Sequence, residues 1–210
     1  PFRDEALARS YYMMQQVQQQ YAYLRPSRIE FADQNGNYLS PSHAHSTGAI
    51  SSSRLHVLYP NGTEVFVNRS SSGSWTVRDN QRRDVEIPVS GWLVFNTANR
   101  FYEISANRKG RRIDYASSSE FEFLDGRGQW TQEGNLAASG SVALRRSNGD
   151  KTLELIDIYG NKKLAVRSSR SITVTAYDSD GKSMGNVKVS PSGTWHEIQT
   201  LPGARTYRCI

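Results

Sequence analysis

Residues 54–68 read RLHVLYPNGTEVFVN, and this stretch decides the fold. Apolar side chains alternate at Leu55, Val57 and Tyr59, and again at Val65 and Val67. That is the two-residue period of a strand with one buried face. Between the two runs, Pro60-Asn61-Gly62 has the chemistry of a tight turn: proline presets φ and glycine supplies a positive one. Two alternating runs joined in this way make a β-hairpin.

Downstream the rhythm continues. SWTV, DVEIP, GWLVFN, RFYEIS, RRIDYAS and EFEFLDG read as short strands as far as about Gly128. A polar, glycine-containing passage, DGRGQWTQEGN at 125–135, interrupts them and is the expected domain boundary. Beyond it, GSVALRR, LELIDIYG, KKLAVR, SITVTAYDSDG, NVKVS, TWHEIQ and TYRCI give short strands at the spacing of a small immunoglobulin- or fibronectin-like sandwich. Upstream the period changes. Leu7, Tyr11, Met14, Val17, Tyr21 and Leu24 recur every three or four residues, one face of a helix. Asp4 and Glu5 sit where its dipole favours negative charge, and Pro26 ends it. The expected architecture is mainly β: a helix over 1–26, a β-sandwich over 27–135 and a smaller Ig-like sandwich over 136–210.

The chain has 210 residues, a formal charge of +6, and one cysteine. Cys209 therefore has no internal disulfide partner and belongs to no cysteine-based zinc cluster. The basic residues are scattered, and RKGRR at 108–112 centres on Gly110 as a hairpin turn would, so no nucleic-acid partner is expected. No apolar run has the length of a membrane helix. Opening on Pro1 rather than Met, the chain is expected to be a trimmed piece of a longer protein.

Catalytic and metal motifs are thin. His43 and His45 share the spacing of a ligand pair, but His56 and His196 stand in no ligand-like cluster, so no metal is expected. DSDG at 178–181 opens like a calcium loop but has Val189 where the closing glutamate belongs, so a β-turn is the simpler account. Asp114, Glu120, Glu122, Asp125 and Glu133 are candidates for a glycosidase carboxylate pair, yet nothing selects two of them. No catalytic residue and no cofactor is expected. NGT at 61–63 and NRS at 68–70 match the glycosylation sequon and equally suit turn and strand ends. Among the aromatics, Trp92 starts an apolar strand, while Trp130 lies in a polar passage. Trp130, with Tyr102 and Trp75, forms the candidate set for stacking on sugar rings.

The run from Leu55 to Asn96, LHVLYPNGTEVFVNRSSSGSWTV followed by IPVSGWLVFN, resembles the β-rich region after the (β/α)8 catalytic barrel of large bacterial glycoside hydrolases. The resemblance lies in Val57, Tyr59, Asn61, Gly62, Val65, Val67, Asn68, Trp75, Pro88, Gly91 and Trp92, and DYASSSEFEFLDGRG adds to it. It implies an accessory, non-catalytic C-terminal region, extracellular or periplasmic, whose partners are the catalytic domain of the same polypeptide and a glycan or polysaccharide. Leu7, Tyr11, Met14 and Tyr21 would then pack on the catalytic domain; the alternative is that the helix covers its own sheet. Two other functions stay open: a free-standing carbohydrate-binding module, and a surface adhesion or assembly protein.

Overall fold

In the computed structural model, which describes residues 2–147 and 152–210, the 54–68 hairpin is in place. Tyr59 N–H donates to the Thr63 carbonyl, Gly62 N–H to the Tyr59 carbonyl, and Thr63 N–H to Asn61 Oδ1. Gly62 has φ +80°, which a Cβ would strain. The chain is mainly β, its strands pair antiparallel among the described residues whose register is set, and a helix leads in at the N-terminus.

Two compact units divide the chain: residues 13–113, and residues 1–12 together with 114–210. The expected break at 135 lies inside the latter. There β10 (Phe121–Asp125) pairs with β13 (Ser141–Ser147) across the polar passage, which is thus an internal connection.

The 13–113 unit contains β1 (Arg28–Ala32), β2 (Tyr38–Leu39), β3 (Arg54–Leu58), β4 (Thr63–Asn68), β5 (Trp75–Arg78), β6 (Asp84–Ile87), β7 (Gly91–Asn96) and β8 (Phe101–Arg108). Its sheet runs β8-β7-β4-β3-β1-β2, and β5 and β6 form a hairpin paired to β8 through Glu86 and Asn107. Alternation gives the sheet two faces. Val65, Val67, Trp92 and Val94 share one of them and, with Val17 and Tyr21 of the helix, line a cavity of about 200 Å³. Phe66, Leu93 and Phe95 share the other, where Trp75 of the β5–β6 hairpin packs on Phe66 with ring centroids 5.9 Å apart.

The other unit contains most of β9 (Arg111–Ser117), β10 and β13, and β11 (Thr131–Glu133), β12 (Leu136–Ala138), β14 (Thr152–Tyr159), β15 (Lys163–Arg167), β16 (Val174–Tyr177), β17 (Ser183–Asn186), β18 (Val189–Ser192), β19 (Trp195–Gln199) and β20 (Thr206–Cys209). One sheet runs β17-β16-β20-β14-β13-β10-β9 and the second β11-β12-β15-β19-β18. They form a sandwich in which β12 packs on β10 and β13.

The N-terminal helix is not one regular α-helix. An α-helix, α1 (Phe2–Arg9), passes into a π-helical turn (Ser10–Gln15) and then into α2 (Gln16–Tyr21). Bonding from i to i+5 rather than i+4 accommodates an extra residue and rotates whatever follows. The apolar stripe expected at 3.6 residues per turn is broken for that reason. Tyr12, Met13 and Val17 are buried, whereas Leu7 is 61% exposed and Tyr11 and Met14 are nearly half exposed. Tyr12 stacks on Phe123 at 5.3 Å and 11°, and Tyr21 on Tyr59 at 4.7 Å and 13°. The helix therefore covers sheet within this chain. The side chains of Asp4 and Glu5 lie outside the described residues.

Candidate functional site

The outward face of the five-stranded sheet follows from register. Gln132, Ala137, Ala165, Glu197 and Ser190 stand opposite one another in a row across β11, β12, β15, β19 and β18. The neighbouring row Leu136, Val166 and His196 is buried in the sandwich, so the first row faces outward. TWHEIQ shows the division along a single strand. Trp195, Glu197 and Gln199 point out and remain accessible, while His196 and Ile198 point in and are buried.

Two tryptophans belong to this face. Trp130 lies just before β11 and keeps 36% of its surface exposed. Lys163, on β15, holds its ammonium 4.6 Å from the Trp130 ring centroid, and the same Nζ donates to Glu197 Oε2 at 2.7 Å. Trp195 is half-buried and stands opposite Arg167. Ala137 and Ala165 form a buried floor between larger neighbours. The face thus presents the Trp130 indole beside an ammonium and the carboxylate it bonds, two exposed amides, Gln132 and Gln199, and Trp195 at the other end of β19. Indoles offer flat apolar area, and the polar groups around them can donate to and accept from hydroxyls.

Of Trp130, Tyr102 and Trp75, only Trp130 keeps appreciable surface exposed. Trp75 is buried against Phe66 and Tyr38. Tyr102 is buried too, with its hydroxyl donating to Asp79 Oδ2 at 3.3 Å and accepting from Arg108 at 2.9 Å, and with Arg83 over its ring. Trp92, on the helix-facing side, donates its indole N–H to Glu103 at 2.7 Å. Trp195, which opens a strand and from sequence reads as core, stands on the outward face. The alternation of TWHEIQ was the signal that could have placed it outside.

Of the candidate carboxylates, Asp114, Glu122 and Asp125 are tied into the scaffold, and Glu120 is exposed. Asp114 meets Arg9 at 2.5 Å and Arg127 through both oxygens, and Asp125 stands opposite it on β10. Glu122 is buried, accepting from Tyr115 Oη, from the Asn135 backbone and side-chain amides, and from Arg146. Among the described residues no group of three or more His, Cys, Asp or Glu side chains is arranged to hold a metal. His43 and His45 lie on the exposed α3 (Pro41–Ser46), capped by Ser40. DSDG forms a turn in which Asp178 Oδ1 accepts from the amides of Asp180 and Lys182. The RKGRR turn has Lys109 and Gly110 at positive φ, and Arg112 reaches back to Ser105 and the Val89 and Ser90 carbonyls. Of the two sequon asparagines, Asn68 is buried, and Asn61 donates to the Gln20 carbonyl at 2.7 Å. Cys209 is buried, and burial pushes its thiol up to about 12.

No family model matches this chain, and no curated protein and no solved structure matches it either.

Proposed function

We propose that this chain is a non-catalytic accessory region of a carbohydrate-active enzyme, and that it binds glycan through the outward face of its five-stranded sheet. One observation carries the reading: an exposed indole, Trp130, stands on a sheet face that also bears Trp195, Lys163, Glu197 and two glutamines. Sugar rings have apolar faces and hydroxyl edges, so a ligand stacked on Trp130 would place its hydroxyls among those polar groups. Lys163 now covers the indole. Its cation–π contact contributes about 0.5–1 kcal/mol at an exposed position, small enough for a ring to displace.

Tryptophan fluorescence titrated with a panel of neutral polysaccharides tests this. At least one member quenches or shifts the emission saturably, and Trp130→Ala weakens it about tenfold or more, as loss of an aromatic anchor does. Absence of a response to every member, or unchanged binding by both Trp130→Ala and Trp195→Ala, would sink the reading.

The accessory role is supported by Leu7, Tyr11 and Met14, apolar side chains that the helix leaves exposed. It predicts that the species detected in the native source is much larger than the 23.6 kDa of this chain. A native species of that same size would instead favour a free-standing carbohydrate-binding module.

A further inference from the structure

The 13–113 unit carries a groove of its own, of about 720 Å³. Its walls are the turn after β1, the 3-10 turn Ala49–Ser52 and the serine loop after β4. Arg54, at the start of β3, is its one guanidinium. Nη2 of Arg54 donates to the Ser74 carbonyl at 3.2 Å, and Nε is enclosed with no partner among the described residues. None of the ion pairs found among the described residues involves Arg54.

The groove's one carboxylate, Asp33, does not neutralise it. Asp33 Oδ1 accepts from the backbone amides of Asn35 and Asn37, and Oδ2 from the Asn37 side chain. Those bonds turn the carboxylate into its own loop. Most of the remaining wall is hydroxyl and amide, with Gln34 and the exposed Ser71 and Ser72 facing the space, and Leu39, Ala49 and the imidazole of His43 complete it.

We infer that this groove is a second binding site, for an acidic saccharide, with Arg54 taking the carboxylate or sulfate and the serine and amide walls taking the ring hydroxyls. With Nε enclosed, the donors left to Arg54 are those of its terminal nitrogens, and a guanidinium presenting them matches the geometry of an oxyanion. The volume is that of a small-molecule site rather than of a bare ion. Walls that are mainly polar suit a polyol better than an apolar acid such as a fatty acid. The inference does not rest on the tryptophan face, which uses none of these residues.

The experiment is a calorimetric titration of the intact chain with a glucuronate-containing oligosaccharide, its neutral glucose counterpart and sodium sulfate. The acidic oligosaccharide binds saturably, and more tightly than either control. Arg54→Gln weakens it about tenfold or more, the weight of a hydrogen bond to a charged group. Raising salt to roughly 0.5 M also weakens it, because screening then acts within a few ångströms. Arg54→Lys keeps the charge without the fork and gives an intermediate affinity, which serves as the readout if the glutamine variant does not fold. Trp130→Ala binds the acidic ligand like the parent, so loss of the tryptophan face and loss of the groove are told apart. Equal binding of the neutral oligosaccharide, equal binding of bare sulfate, or full affinity in Arg54→Lys and Arg54→Gln would each overturn the assignment.

Discussion

At the scale of single residues, the polar groups buried in the 13–113 unit are there to hold strands. His56 on β3 meets Glu30 of β1 at 3.0 Å through Nδ1 and Glu64 of β4 at 3.1 Å through Nε2. Both nitrogens of the ring are thus within hydrogen-bond distance of a carboxylate. Its face stacks on Phe66 with centroids 4.3 Å apart, so the imidazole ties three neighbouring strands while filling core. Replacing it with phenylalanine keeps the ring and leaves two carboxylates facing an apolar edge. His56→Phe is expected to lower stability by about 1–3 kcal/mol, the cost of leaving buried hydrogen-bonding groups without a partner. Urea unfolding checks this, and adding Glu30→Gln to the same chain should recover part of the loss. A midpoint unmoved by His56→Phe would show that the bridge carries no weight. None of this was legible in the sequence, where His56 is one more residue in a hairpin. Its partners lie 26 positions upstream and 8 downstream, and only strand pairing brings them together.

At the scale of elements, the hairpin and the helix show what periodicity can and cannot resolve. The hairpin was readable in full, because alternation and turn chemistry are both local. The helix was readable as an element, but its buried face was not. The π-helical turn sits at Ser10–Gln15, in the middle of the stripe, and shifts burial onto Tyr12 and Met13. The consequence is a contrast between two methionine- and leucine-sized side chains on one element. Met13→Ala removes a fully buried side chain and is expected to cost about 2–5 kcal/mol. Leu7→Ala removes one that is 61% exposed and should lower the stability measured by urea unfolding by less than about 0.5 kcal/mol. A reversed order would restore the regular stripe and its expected buried face. TWHEIQ teaches the complementary lesson: its alternation was visible, but whether Trp195 pointed in or out depended on the second sheet lying behind His196 and Ile198.

For the molecule as a whole, burial of acidic protons sets the alkaline limit of stability. Burial pushes the Cys209 thiol up to about 12, against 9.0 when exposed. Burial, with Glu122 beside it, also holds the Tyr115 phenol well above its ordinary 10.0. In both, the folded chain keeps the proton longer than the unfolded one. Their contribution is therefore complete below about pH 9 and is lost as pH rises toward 12, where the unfolded chain gains by ionising. Urea midpoints should agree near pH 7 and 8 and fall by about pH 10.5. Cys209→Ser would flatten part of that fall, and a midpoint constant to that pH would contradict the assignment. From sequence Cys209 had neither a disulfide partner nor a zinc cluster; its place opposite Leu153 and Val174 in β20 is what buries it.

The amino-acid sequence by itself determined the class of the fold, the positions of most turns and strands, and the presence of an N-terminal helix. Each of those is written in periods of two or 3.6 residues and in Gly, Pro and Asn at turns, which act over a few residues. Tertiary structure alone decided where the units divide, which tryptophans face water, and which charges are spent on the scaffold. Asp114 shows why: its partners are Arg9 and Arg127, over a hundred residues apart along the chain, and they meet only because strand pairing and helix packing bring them to one carboxylate.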